Sequence, residues 1–508
     1  MIAVHPQVPQ LSLVRAIGLQ ARYRRSETAL VHDDATVTFG SLWQSAGEAA
    51  RGLVDAGVEP GTRVAVAMEP GPAYVATVLG VLLGGGTAVP VNTRLTPNEV
   101  ADFLGPVQPA LAVCSEEHLP RVGALGGRAR SRGAGAVVVD GMGPCVPDGP
   151  PPTELPALVL GTGGTTGTPK GALFDHRALW VWAVSAAAHN DVRSADTELF
   201  VAPFYHGTLV TGLLTTLVMG GSVIIESRFD PERGADLIAS GRVTRMLGAA
   251  TVVERLLRAA QEVDTTAARL RYLQFGMSAS RPGFAADIRA AFPTATVITG
   301  YGATEFGPVT RTYSWEFVRD GEPRGVGRPI AGVEITIEAD GELRHDAGTE
   351  GEILVSSPWQ MDRYLVASAT VEEEARRGPY LRSGDIGSFD EDGYLRLTGR
   401  LKDSIRTGGE NVYPNEVEAV LHGHPAVAEC AVYGVPDPEW GERVEAVVVP
   451  GRPALDLADL DAHLRAALAG YKVPKRIRVV EEIPQTSNFK TDRRELRRLA
   501  ESAEAMGS

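Results

Sequence analysis

Residues 71–91 carry no charged side chain, a run about as long as a membrane span. Their own punctuation limits what they can form. Pro72, the run Gly84-Gly85-Gly86 and Pro90 cut the segment, which predicts a short buried helix over 73–83, a glycine break and a buried strand over 87–91. The flanking pattern agrees. Leu42, Ala46, Ala49 and Leu53 recur at helical spacing and stop near Gly57, and the apolar run 64–68 follows. Helices alternating with short apolar strands imply parallel sheet covered on its faces, so the expected class is α/β with no membrane span.

At 508 residues the chain is too long for one hydrophobic core, and two or more domains are expected. Between 123 and 156 the composition turns rich in Gly, Ala, Arg and Pro, which reads as surface connection and not core. Apolar runs at 157–160, 221–225 and 296–299 fit buried strands; 332–337, 351–355 and 393–397 read as a more antiparallel section. After Arg400 the rhythm restarts with strands over 427–433, 444–449 and 477–480 and a helix over 457–469. The expected architecture is a large N-terminal domain (1–400) of layered α/β sheets plus a β-rich section, followed by a small mobile α+β domain (401–508). No internal repeat or coiled-coil heptad is present.

With 49 Lys+Arg against 63 Asp+Glu, the net charge of −14 repels phosphate backbones and disfavours a dedicated nucleic-acid binder. Cys114, Cys145 and Cys430 are too few and too scattered for a disulfide scaffold or zinc site. Residues 1–20 show no signal-peptide pattern, so a cytoplasmic location is expected.

The string Gly161-Thr162-Gly163-Gly164-Thr165-Thr166-Gly167-Thr168-Pro169-Lys170-Gly171 combines backbone amides, hydroxyls and one cation, the makings of a phosphate cradle. A Walker loop would need Gly-Lys-Ser/Thr, whereas Lys170 stands between Pro169 and Gly171. Gly161, Gly163 and Gly167 permit a dinucleotide loop. The Tyr-x-x-x-Lys string that a short-chain dehydrogenase would add, Tyr471 to Lys475, contains Pro474 and lies far downstream. A lone string of this kind is most often a glycine-rich surface turn.

Further strings follow in order. Tyr301-Gly302-Ala303-Thr304-Glu305 offers a strand-end turn with a hydroxyl for a phosphate oxygen and a hard carboxylate for a cation; alone, it could equally be a loop glutamate in solvent. Ser383-Gly384-Asp385 offers a carboxylate, the natural bidentate acceptor for a diol, or else a plain Asp turn. Gly399-Arg400-Leu401-Lys402-Asp403 precedes Gly408-Gly409-Glu410-Asn411-Val412-Tyr413-Pro414, and Pro484-Gln485-Thr486-Ser487-Asn488-Phe489-Lys490 comes last. By itself Lys490 would be a solvated lysine beside an Arg-rich tail (Arg493, Arg494, Arg497, Arg498).

Together these strings closely resemble the motifs of the adenylate-forming superfamily: acyl-CoA synthetases, luciferases and the adenylation domains of peptide synthetases. The resemblance runs from about residue 25 to about residue 495. It implies ATP (leaving as AMP), CoA and Mg²⁺ as cofactors. It assigns Thr162, Gly163, Gly164, Thr165, Thr166, Gly167 and Lys170 to the phosphates, and Tyr301, Gly302, Ser278 and Ala279 to the nucleotide. Thr304 would contact the α-phosphate, Glu305 would hold Mg²⁺, and Asp385 and Arg400 would hold the ribose. Lys402 would be the pivot of the small domain, Gly408 and Gly409 would let the pantetheine arm pass, and Lys490 would stabilise charge as the carboxylate attacks the α-phosphorus.

Peptide-synthetase adenylation domains place an Asp after an aromatic residue to pair with the ammonium of the amino acid. Here Pro203-Phe204-Tyr205-His206-Gly207 offers His206, which disfavours an amino acid and resembles the acyl-CoA synthetase branch. There His206 would lie by the acid's carboxylate; otherwise it is a buried structural histidine. Tyr205, Gly207, Gly276, Met277 and Ala303, with Ala279 and Gly302, leave a roomy apolar pocket for an aryl, polycyclic or medium-chain acid. The high Ala, Arg and Gly content is compatible with secondary metabolism. Two positions depart from the pattern: Gly163 stands where most members have Ser, and Phe489 where they have Gly. Both touch adenylation, so the expected acyl-CoA ligase has an alternative that performs only the thioester step on acyl-AMP from a partner adenylating enzyme. A luciferase-like monooxygenase and a non-catalytic acyl-AMP-binding protein are further alternatives, and a homodimer is compatible with the sequence.

Overall fold

The computed structural model describes residues 7–123, 128–132, 136–140, 155–162, 170–226, 228–276, 280–318, 321–366, 368–451, 454–485 and 491–507. The uncharged segment forms the helix Pro72–Leu83 and the strand Thr87–Pro90. Every helix residue from Tyr74 to Leu83 is buried, which is why a charge-free sequence suits it. No helix among the described residues is long and apolar enough to cross a membrane.

Two large sheets flank this helix. The first has nine strands in the order Arg328–Pro329, Thr310–Tyr313, Thr296–Thr299, Tyr272–Gly276, Arg245–Ala249, Thr197–Phe200, Ser222–Ile225, Thr28–His32 and Ala35–Thr38. Its five central pairings, from Thr28–His32 across to Thr296–Thr299, are parallel. The second has eight strands in the order Arg363–Leu365, Lys170–Asp175, Pro156–Thr162, Thr87–Pro90, Arg63–Ala67, Leu111–Ser115, Ala136–Asp140 and Arg128–Arg132. One continuous core draws on both sheets and on the helices Phe39–Asp55, Pro72–Leu83 and His176–His189 between them. Contact is close. A Cβ on Gly80 would stand 2.6 Å from that of Ala49, so a larger residue would force these helices apart.

An antiparallel sheet follows, containing Glu334–Ala339, Gly351–Ser356, Tyr380–Phe389 and Leu395–Arg400. The smaller C-terminal domain has its own sheet, built on the long pair Val427–Asp437 and Gly441–Pro450, with Arg476–Val479 parallel to the latter. Ile405, Val417, Val432, Val444 and Leu460 form its separate core. The molecule is thus mixed α/β, with a large N-terminal and a small C-terminal part.

One expectation needs correction. The stretch 123–156 is not only surface connection: Arg128–Arg132 and Ala136–Asp140 extend the second sheet, and Val138 is buried. The short apolar run 136–139 decides this, because it completes an edge that Gly- and Arg-rich neighbours conceal. The Arg-rich tail is the helix Arg493–Gly507, which buries Leu496 and Ala500 against Ala431, Tyr433 and Val435. Its arginines sit on the faces beside that stripe and pair with acidic groups, Arg493 with Glu418 at 2.6 Å among them.

Candidate active site

Three of the strings converge on one buried carboxylate. Asp385 lies in the strand Tyr380–Phe389 and is 5% exposed, so it is no surface turn. Its register partner is Arg400, whose Nε donates to Oδ1 at 2.8 Å. The hydroxyl of Tyr301, at the end of the strand Thr296–Thr299, donates to Oδ2 at 2.7 Å. Burial, then the neighbouring Asp385 charge, pushes the Tyr301 phenol well above its ordinary value, so it stays a donor. Burial opposes the charge on Arg400, but Asp385 and then Asp403 outweigh it and hold the guanidinium more firmly protonated. A carboxylate has about four lone-pair sites, so two remain for a ribose diol.

Gly302–Ala303 and Gly307–Pro308 form a tight hairpin directly after Tyr301. A Cβ on Gly302 would collide with the carbonyl of Gly307. Gly302 is therefore required by the hairpin and not for pocket room, which corrects the sequence-based expectation. Thr304 and Glu305 occupy the turn, both half-buried. Glu305 is not adrift in solvent: Oε1 accepts from the Tyr364 hydroxyl at 2.8 Å. Tyr364 belongs to Arg363–Leu365, which pairs with Lys170–Asp175, and Lys170 Nζ lies 5.1 Å from the Tyr364 ring centroid. Thr162 is buried directly opposite Lys170, so these two residues bracket the phosphate loop. Gly163, Gly164, Thr165, Thr166 and Gly167 lie outside the described residues. Glu305 has a second carboxylate oxygen, and among the described residues Lys170 meets a ring face; a hard oxygen and a cation so placed fit Mg²⁺ and phosphate.

The acid side begins where Thr197–Phe200 ends. Pro203–Gly207 forms a turn, with His206 N–H donating to the Pro203 carbonyl at 3.3 Å, and leads into a π-helix, Leu209–Leu214. Such wide turns recur at functional sites. His206 is half-buried, with its ring 5.3 Å from that of Tyr205, and so is not a fully buried histidine. That description fits His176, which is 1% exposed and whose pKa burial pushes down to about 4. A Cβ on Gly207 would press on Trp182 at 3.0 Å, whereas one on Gly276 would make only ordinary contact among the described residues, with the Gly300 carbonyl at 3.8 Å. Ala303 packs on the core. His206, Gly276 and Tyr301 stand at or just after the ends of strands in one parallel sheet, at the same edge of it. Met277, Ser278 and Ala279 lie outside the described residues.

In the C-terminal part, Lys402 lies exposed in the single turn Leu401–Asp403. Gly408 and Gly409 make the two-residue turn of the hairpin Ile405–Thr407/Glu410–Val412, with φ of +60° and +87°. That mirror-image turn requires residues free of Cβ strain, and Gly409 faces open space. Lys490 and Phe489 lie outside the described residues.

Sequence reasoning missed Tyr364 and Tyr74. Tyr364 has no local motif; its partners lie in distant segments. Tyr74 sits in the buried helix, and among the described residues its hydroxyl has no partner, nor do those of Tyr205 and Thr208 near His206. Among the described residues one further group could offer metal ligands, Glu69, Glu117 and His118. Arg121, which can only donate, reaches His118 Nδ1 at 3.3 Å, so Nε2 carries the proton that bonds Glu69. That arrangement turns the ring away from metal binding.

Comparison with known proteins agrees with this geometry. The model of the AMP-binding enzyme family matches residues 19–365, and that of the AMP-binding enzyme C-terminal domain matches residues 416–490. Feruloyl-CoA synthase of an Amycolatopsis species is 34% identical over 485 residues, 94% of this chain and 97% of the relative. The structure of o-succinylbenzoate CoA synthetase from Bacillus subtilis with its acyl-adenylate is 26% identical, with a TM-score of 0.79 over 95% of this chain and 97% of that one. The amide bond synthetase McbA from Marinactinospora thermotolerans is 28% identical, with a TM-score of 0.81 over 96% of this chain and 99% of that one. With the family models and a relative of near-full length in agreement with the motifs, the chain belongs to the AMP-binding enzyme family and is an ATP-dependent, AMP-forming acyl-CoA ligase.

Proposed function

We propose that this ligase activates a bulky or aromatic carboxylic acid, and that the residues above divide the work as follows. Asp385, oriented by Tyr301 and Arg400, accepts the ribose hydroxyls. Thr304 and the loop from Thr162 to Lys170 bind the phosphates, and Glu305 holds Mg²⁺, which would neutralise charge on the leaving pyrophosphate. Lys490 stabilises charge at the α-phosphorus as the carboxylate attacks, giving acyl-AMP and pyrophosphate. The CoA thiol then displaces AMP, entering past Gly408 and Gly409, while His206 lies beside the reacting carbonyl. The small domain, beginning near residue 401, pivots at Lys402 between the two steps. The enzyme works in the cytoplasm on acid, ATP and CoA.

The observation that carries this reading is the Tyr301–Asp385–Arg400 arrangement, a buried carboxylate held by the tyrosine that directly precedes the hairpin turn bearing Glu305. The names of the relatives support a bulky acid. Pyrophosphate release and CoA-thioester formation across hydroxycinnamic, benzoic, polycyclic and short aliphatic acids test it. A preference for acetate, or an amine accepted in place of CoA, would overturn it.

A second reading rests on Gly163 and Phe489: thioester formation outpaces adenylation, and a partner enzyme supplies the acyl-AMP. Rapid ATP–pyrophosphate exchange with any acid excludes it.

A further inference from the structure

The sequence strings treat the phosphate-loop lysine and the cation-binding glutamate as separate devices. In the fold they share one neighbour. Tyr364 receives Lys170 on its ring face, with Nζ 5.1 Å from the centroid, and donates its hydroxyl to Glu305 Oε1 at 2.8 Å. The tyrosine is itself fixed. Its strand is paired to the one that Lys170 begins, with Tyr364 opposite Ala172, and its backbone N–H donates to Glu372 Oε2 at 2.8 Å. Among the described residues no ion pair joins Lys170 to Glu305.

We propose that Tyr364 is a positioning residue that keeps Lys170 and Glu305 apart and aimed, so that each is free to receive its share of Mg·ATP. The inference rests on the functional reading above. A lysine and a glutamate at one site would otherwise close on each other as a charge-assisted pair, and the incoming phosphates and cation would first have to break it. Tyr364 replaces that pair with two weaker contacts, a cation–π approach and a hydrogen bond to one carboxylate oxygen. The other oxygen of Glu305 stays available to the cation, and the ammonium stays available to phosphate. Tyr364 acts through both groups and touches no reacting atom.

Binding measurements test this directly. Calorimetric titration should show Tyr364→Phe binding Mg·ATP roughly tenfold more weakly, the loss expected for one hydrogen bond to a charged group. AMP, which needs neither Lys170 nor the cation, should bind the variant as it binds wild type. Tyr364→Leu removes the ring as well and should weaken Mg·ATP further, while titration of ATP in EDTA should show a smaller loss than Mg·ATP. In the half-reactions, adenylation by Tyr364→Phe should need about tenfold more Mg²⁺, with conversion of supplied acyl-AMP and CoA unchanged. Equal weakening of AMP and Mg·ATP would mark Tyr364 as merely structural and overturn the proposal, as would a Phe variant with wild-type Mg²⁺ dependence. Failure of the wild-type protein to make thioester from acyl-AMP would instead count against the ligase reading, which keeps the two failures distinct.

Discussion

The proposed nucleotide side and the proposed acid side of the site are built on opposite principles. Around Asp385 and Glu305 the charged and polar groups satisfy one another: Tyr301 and Arg400 hold Asp385, and Tyr364 holds Glu305. Beside His206 the buried hydroxyls of Tyr205, Thr208 and Tyr74 have no hydrogen-bond partner among the described residues. A buried unsatisfied hydroxyl costs about 1–3 kcal/mol, so the two sides differ in what they ask of the free protein. The nucleotide side is organised before its ligand arrives. The acid side bears a cost in the free protein that a polar ligand group could relieve, and such a side can be retuned without disturbing the shared chemistry.

The largest test removes a group from the nucleotide side only. Lys490→Ala should cut acyl-AMP formation on the order of a hundred- to a thousandfold, as for loss of one transition-state donor, and leave the thioester step from supplied acyl-AMP nearly intact. Equal loss in both half-reactions would remove Lys490 from its assigned role.

Asp385→Asn breaks the pair with Arg400 and weakens the diol acceptor. A fully buried pair would cost more, but the Arg400 side chain is 43% exposed, so about 2 kcal/mol is expected, read as a rise in KM for ATP of roughly thirtyfold. The KM for the acid should stay put; if it moves equally, the two sides are not separable.

The sharpest comparison uses one chemical change at three places. Tyr301→Phe deletes a hydroxyl that donates to a carboxylate and should lower stability by about 1.5 kcal/mol, with weaker ATP binding, in denaturant titration and calorimetry. Smallest of all, Tyr74→Phe and Tyr205→Phe delete unpartnered hydroxyls and should leave stability unchanged or raise it by up to about 1 kcal/mol. If either of these loses as much stability as Tyr301→Phe, the contrast between the two sides fails.

Much of this architecture was legible locally. The strand 296–299 was read with its observed bounds, and the helix and strand of the uncharged segment within one residue at each end. Such apolar runs have one low-energy fate, burial between layers, and their breakers stand beside them. The strands 128–132 and 136–140 escaped notice because their Gly- and Arg-rich surroundings imitate a linker. The helix 493–507 did so because its buried stripe is narrow and seven of its fifteen residues are charged.

The sequence by itself determined the chemistry at hand. A phosphate loop, a Thr-Glu turn, a Gly-Asp acceptor and a terminal lysine are local strings, and each states what its side chains can bond. Only the tertiary structure decided which of them bond each other. Tyr301 reaches Asp385 across 84 residues, and Tyr364 reaches Glu305 across 59. Tyr364 also meets Lys170 because their strands are neighbours in one sheet. No spacing rule encodes such meetings, because they depend on strand order and register, which the whole core sets at once.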